Sequence, residues 1–80
     1  MNLQVVDVAA RWLPDGRFEP TQFAWQGRTY QVESTGRQWE DAVGLHVLCM
    51  LPGGQVFELI FQLDPACWAL RLPLGVARPI

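Results

Sequence analysis

Short apolar runs alternate with closely spaced turn signals along this chain of 80 residues. The apolar runs are rich in Val, Phe, Tyr, Trp and Leu, and no window shows a helical stripe beyond one turn at 38–43. We therefore predict an all-β fold, an antiparallel meander of five or six strands curled into an open barrel, with at most one helical turn. The turn signals are Pro14-Asp15-Gly16, Gln26-Gly27, Gly36, Pro52-Gly53-Gly54, Asp64-Pro65 and Pro73-Leu74-Gly75.

One predicted hairpin has a two-residue turn at Gln26-Gly27, where the glycine supplies the positive φ that a primed turn needs. That turn pairs Trp25 with Arg28 on the two strands. One face of the hairpin then carries four apolar side chains, which are Phe23, Trp25, Tyr30 and Val32.

Two further predicted hairpins share the strand that begins at Val56. A turn at 52–55 pairs Leu51 with Val56, and a turn at 64–67 pairs Leu63 with Trp68. The two turns are independent of each other, yet both registers place the same set of apolar side chains on one core face. Its members are Leu48, Met50, Phe57, Leu59, Phe61, Leu63, Trp68 and Leu70.

The opposite face of these strands is less polar than a face exposed to water, which would alternate cleanly. Val47, Val56 and Ile60 are assigned to it. Three explanations are open: a curled barrel whose strands wrap over each other, cover by the first strand at 3–13, or a subunit interface. We predict that these three residues form an interface with a second copy or with another protein.

Length and charge restrict the alternatives. Eighty residues form one small domain, 1–80, and residues 73–80 are predicted to be a loose C-terminal tail. The net charge is −2, which disfavours binding dominated by phosphate contacts. All six basic residues are Arg. The chain has neither a signal-peptide pattern nor an apolar run long enough to span a membrane, so we expect a cytoplasmic location and no membrane partner.

Few residues suggest chemistry, and we predict no catalytic residue, metal site or cofactor. His46 is the only histidine, and the predicted register turns it into the core opposite Phe61 with no orienting carboxylate. Cys49 and Cys67 are expected to be reduced, since an intervening strand separates them by about 9–10 Å, beyond the range of a disulfide. Neighbouring acidic residues at 40 and 41 are expected to be solvated.

Nucleic-acid binding is the alternative function, because small barrels with exposed aromatic residues bind single strands. Its candidate residues are Arg17, Arg28, Arg37 and Trp39. The acidic balance of the chain opposes this alternative, and the alternation turns Trp25, Tyr30 and Trp68 inward.

The sequence from Phe23 to Val32 reads F-x-W-x-G-R-x-Y-x-V and is followed by Trp39. This motif resembles a family of small bacterial β-domains of unknown function, and the likeness covers about 20–72. The resemblance implies the fold more than an activity, and the family provides no established catalytic residues. Its members are encoded near translesion DNA polymerase genes, which implies an accessory role in DNA repair. Arg28 is the motif position that is polar beyond what a hairpin requires.

These observations favour a non-enzymatic interaction module that self-associates through its semi-apolar face. A nucleic-acid accessory domain is the second hypothesis, and a small enzyme is the third.

Overall fold

The computed structural model describes residues 3–63 and 66–71, and these ranges contain strands and turns but no helix. The all-β antiparallel prediction is confirmed, although seven strands are present where five or six were expected. The predicted tail at 73–80 lies outside the described residues. The strands are β1 (Leu3–Trp12), β2 (Phe18–Trp25), β3 (Arg28–Gln31), β4 (Ser34–Glu40), β5 (Leu45–Met50), β6 (Val56–Leu63) and β7 (Ala66–Arg71).

The seven strands form one sheet in the order β3-β2-β1-β7-β6-β5-β4, curled into a half-barrel. Its two edge strands, β3 and β4, are consecutive in the chain and are joined by only Val32 and Glu33. The Val32 amide donates to the Thr21 carbonyl of β2, and the Glu33 amide donates to the Met50 carbonyl of β5. The two residues therefore connect opposite edges of the sheet, which forces the sheet to curl.

The β2–β3 hairpin is confirmed. Trp25 pairs with Arg28 as predicted, and both turn residues have positive φ, 52° at Gln26 and 76° at Gly27. Two positive φ values define a type I′ turn, whose twist matches that of the flanking strands.

The predicted register between β5 and β6 is wrong by one residue. Met50 pairs with Val56, because Leu51 closes the turn by donating its amide to the Gln55 carbonyl. The loop thus has three residues, 52–54, and both of its glycines adopt positive φ. A shift of one residue moves every side chain of a strand to the opposite face of the sheet. Met50, Leu48 and His46 therefore leave the core face.

The β6–β7 register differs from prediction by two residues, since Leu63 pairs with Ala66 instead of Trp68. An even shift preserves the face, so Trp68 and Leu70 still lie on the core side with Leu59 and Phe61. The predicted turn at Asp64 and Pro65 lies outside the described residues.

The sheet consequently has an inner face, which holds the core, and an outer face. The buried core residues of the inner face are Val6, Phe18, Phe23, Val47, Cys49, Leu51, Phe57, Leu59 and Leu70. The helical turn predicted at 38–43 is wrong, because residues 38–40 end β4 and residues 41–44 connect it to β5. The part of the chain that the structure describes contains no helix long and apolar enough to cross a membrane.

Candidate functional site

An apolar cleft opens at one end of the inner face, where the β1–β2 hairpin meets β6 and β7. Its volume is about 160 Å³. We call it the aromatic cleft, and its lining residues are Val8, Ala10, Trp12, Phe18, Phe61 and Trp68.

A chain of aromatic rings builds this cleft. Trp12 and Phe18 are register partners on β1 and β2, and their rings meet edge to face with centroids 5.2 Å apart. Trp68 lies 5.2 Å from Phe18 on one side and 5.2 Å from Phe61 on the other. Phe18 is buried, whereas Trp12, the last ring of this aromatic series, is 65% exposed. The small side chain of Ala10 leaves the space between the rings open.

The charged side chains around the β1–β2 turn are paired with one another. The Arg11 guanidinium lies 2.7 Å from the Glu19 carboxylate on the adjacent strand. Arg17 bonds to Asp15 at 2.8 Å within the β1–β2 turn. None of these four groups lines the cleft, and every lining residue is uncharged. The cleft therefore suits an uncharged apolar group.

A second cluster lies on the outer face, and we call it the His46 network. His46 Nε2 lies 2.7 Å from Asp41 Oδ1, and His46 Nδ1 lies 2.5 Å from Glu58 Oε2. The other carboxylate oxygen of Glu58 lies 3.2 Å from Arg71 Nε. The network thus links the β4–β5 loop, β5, β6 and β7.

The imidazole of His46 is sealed from solvent. Trp39 stacks on the ring with centroids 4.8 Å apart and planes 8° from parallel, and only 1% of His46 is exposed. Burial by itself lowers the pKa of His46, but the hydrogen bonds with Asp41 and Glu58 outweigh burial and raise the pKa above 6.5. Both ring nitrogens are occupied, so the ring is unavailable for proton transfer to a substrate.

The loop geometry positions Asp41. Its Oδ1 accepts the amides of Val43 at 2.9 Å and Gly44 at 3.3 Å, in addition to its contact with His46. The bond with His46, followed by these amide bonds, lowers the pKa of Asp41. Gly44 lies so close to β6 that a Cβ there would be 2.3 Å from the Phe61 carbonyl oxygen, so the loop requires glycine.

The expectation for His46 is therefore wrong in two respects. His46 pairs with Ile60 on the outer face instead of facing Phe61 in the core, because the β5–β6 register is shifted by one residue. Two carboxylates orient the ring, where none was expected. Asp41 is not simply solvated. Among the described residues, no group of three or more His, Cys, Asp or Glu side chains has the geometry to hold a metal ion.

The three predicted interface residues do not form one patch. Val47 pairs with Leu59 in the inner core, again because of the register shift. Ile60 does lie on the outer face, but it is 0% exposed within a single chain. Val56 is 46% exposed. The prediction that these three residues share one exposed face is thus wrong. Only Val56 is both exposed and on the outer face.

The four candidate nucleic-acid residues also lie apart. Arg17 precedes β2 and Arg28 follows it, so the two are at opposite ends of a strand about 25 Å long. Arg37 and Trp39 are together on β4, with the guanidinium 5.0 Å from the centre of the indole ring. The structure brings together only this last pair.

The predicted state of the cysteines is confirmed, since Cys49 and Cys67 are both free thiols on strands separated by β6. Burial raises the pKa of the Cys49 thiol to about 12. Cys49 is therefore protonated at neutral pH and is not a nucleophile.

Sequence reasoning did not identify the cleft or the His46 network. Val8, Ala10 and Trp12 alternate along β1, a pattern that indicates an inward-facing side of the strand. The small alanine between two larger side chains indicates unfilled space there. No comparable signal joins His46 to Glu58, because their contact depends on a register that the turn decides.

Comparison of the chain with protein-family models, with curated proteins and with solved structures finds no match.

Proposed function

We propose that this protein is a non-enzymatic binding module whose aromatic cleft receives an uncharged apolar side chain of a partner protein. The observation that carries the proposal is Trp12, a large aromatic side chain that is mostly exposed at the mouth of an apolar cleft. Exposed tryptophans beside well-packed pockets are typical energetic centres of protein interfaces. Isolated small apolar residues on a surface have no such implication.

Two features support binding over catalysis. The imidazole of His46 is covered by Trp39 and occupied at both nitrogens. The thiol of Cys49 is buried, and its pKa is raised to about 12. Neither group can reach a substrate in its reactive form, whereas the aromatic cleft is open.

The paired charges around the β1–β2 turn favour a protein partner over a nucleic acid. A single strand bound at Trp12 would need free cations for its phosphates, and Arg11 and Arg17 are already paired with carboxylates. A second copy of this chain is one partner of the proposed kind.

A direct test uses two small probes, N-acetyl-leucinamide and N-acetyl-tryptophanamide, titrated into ¹⁵N-labelled protein. The four indole N–H signals report on four places in the molecule. We expect saturable shifts at Trp12 and Trp68 and none at Trp25, whose indole is bonded to Gln4.

The matched variants are Ala10→Phe and Ala9→Phe on β1. Ala10 lines the cleft, so phenylalanine there should fill it and abolish the shifts. Ala9 is also exposed but does not line the cleft, so its variant should bind as wild type does. Shifts that survive in Ala10→Phe would contradict the proposal. Tighter, salt-dependent binding of an oligothymidine strand at Trp12 would instead support the nucleic-acid hypothesis.

A further inference from the structure

We propose that His46 is a proton-operated latch that holds residues 41–44 against the sheet and releases them when the imidazole loses a proton. This inference is independent of the aromatic cleft, because it concerns the opposite face of the sheet. Its basis is the geometry of the two carboxylates around one buried ring.

That geometry requires both ring nitrogens to carry hydrogen. An ionised carboxylate can only accept hydrogen bonds, and a neutral imidazole has only one N–H to donate. His46 nevertheless lies within hydrogen-bond distance of a carboxylate oxygen at each nitrogen, 2.7 Å from Asp41 and 2.5 Å from Glu58. The closed arrangement is therefore that of an imidazolium, whose charge the two carboxylates balance.

The surrounding groups decide which contact is lost on deprotonation. Glu58 is mostly buried and also faces Arg71, so water cannot easily replace its contact with the ring. Asp41 is half exposed and can exchange the ring for water. The Nε2 proton is consequently the one whose loss leaves a lone pair facing a carboxylate that is free to move away.

The charged groups near His46 come from several elements. The β4–β5 loop contributes Asp41, β6 contributes Glu58, β7 contributes Arg71 through Glu58, and β4 contributes Arg37, which lies over Trp39. The remaining members of the row across the sheet at this level are apolar: they are Ile60 on β6, Ala69 on β7 and Val5 on β1.

Residues 41–44 are the segment that the latch controls. The carboxylate of Asp41 holds the Val43 and Gly44 amides as well as the ring, so its movement frees three contacts together. Trp39, which covers the ring, lies on β4 two residues before Asp41. Release should therefore loosen the loop and the tryptophan lid while the inner core stays intact.

The experiment follows His46 by NMR, where its resonances are unambiguous because the chain has one histidine. The titration midpoint of His46 in the folded protein should lie above 6.5. Through the same midpoint, the protection factor of the Gly44 amide against hydrogen exchange should fall about tenfold, the size expected for loss of a charged hydrogen bond. The Trp39 indole signal should shift in parallel.

Asp41→Asn and Asp15→Asn are the matched variants. Both aspartates accept backbone amides in a turn, but only Asp41 contacts His46. Asp41→Asn should move the midpoint of His46 toward acid, and Asp15→Asn should leave it unchanged.

Two results would overturn the latch. One is a wild-type midpoint at or below 6.5. The other is a His46 titration during which Gly44 protection and the Trp39 signal stay constant, which would make the histidine a structural residue without control of the loop. Both are measured on the wild-type protein, so neither depends on a variant folding.

Discussion

Leu59 and Ile60 are neighbours on β6, both completely buried, yet they are buried by different means. Leu59 faces the inner side, where side chains from distant strands such as Val6 and Phe23 meet as the sheet curls. Ile60 faces the outer side, in the same row as His46 and Ala69, beside a charged network and a short loop.

The two faces differ in the substitutions that they tolerate. Apolar packing on the inner face is non-directional, so it accepts substitutions that preserve volume. Burial beside the His46 network depends on a few directional contacts and on one glycine that permits a close approach of two backbones. We expect the outer face to be sensitive to single atoms and to pH, and the inner face to be sensitive mainly to volume.

The largest expected effect is that of Ile60→Glu. The His46 imidazolium opposite this fully buried position is already balanced by Asp41 and Glu58. A carboxylate at position 60 therefore gains no free cation and should cost about 5 kcal/mol or more, as much as the stability expected of a domain this small. Circular dichroism should show an unfolded chain. Val56→Glu, at an exposed position on the same strand and face, should cost about 1 kcal/mol or less. A folded, stable Ile60→Glu protein would show that the outer face is an open surface.

Gly44→Ala should be the next most damaging. The added Cβ would collide with the Phe61 backbone oxygen, and the φ of 156° is strained for other residues, so we expect a loss of about 2–4 kcal/mol in urea unfolding. Gly36→Ala is the control, because its Cβ would meet Leu48 at an ordinary 3.8 Å. That variant should be neutral or stabilising by about 0.5–1 kcal/mol. Equal effects at the two glycines would contradict the close approach.

The pH dependence of stability separates the two faces further. The raised pKa of His46 means that its contribution is complete below pH 6.5 and is lost as pH rises through the higher pKa of the folded state. The lowered pKa of Asp41 means that its contribution is present above 3.8 and is lost as pH falls. Between pH 6.5 and about 8.5, wild type should therefore lose stability progressively.

His46→Gln is the variant that isolates this effect. It lacks the titrating group, so its unfolding free energy should stay nearly constant over the same pH range. The pH range stops below 9.0, where Cys49 of the unfolded chain is half ionised. A wild-type profile as flat as that of the variant would contradict the ionic account of the outer face.

Gln38→Ala tests the curl that creates the inner face, and its effect should be the smallest. The Gln38 amide donates to the Phe18 carbonyl at 2.5 Å and so connects edge strand β4 to β2 across the open side of the half-barrel. Its loss should cost about 1 kcal/mol in urea unfolding. Gln31→Ala removes an exposed contact with Gln22 within the sheet and should cost less. A neutral Gln38→Ala would mean that residues 32–33 alone maintain the curl.

The amino-acid pattern was sufficient where the local geometry allowed only one arrangement. Alternating apolar residues and dense turn signals predicted an antiparallel all-β domain. The Gln26-Gly27 turn predicted the β2–β3 register, because a two-residue primed turn admits only one pairing. The separation of Cys49 from Cys67 followed from strand order alone.

Only the tertiary structure decided which face each β5 side chain occupies. Three-residue and four-residue loops at Pro52-Gly53-Gly54 are both compatible with the sequence, and choosing between them reverses the strand. The shorter loop sends Val47 into the core and His46 to the outer face. The contacts of His46 with Asp41 and Glu58, and the cleft beside Trp12, arise from strands that meet through register and curl. Neither the His46 contacts nor the cleft can be predicted from the one-dimensional pattern of residues.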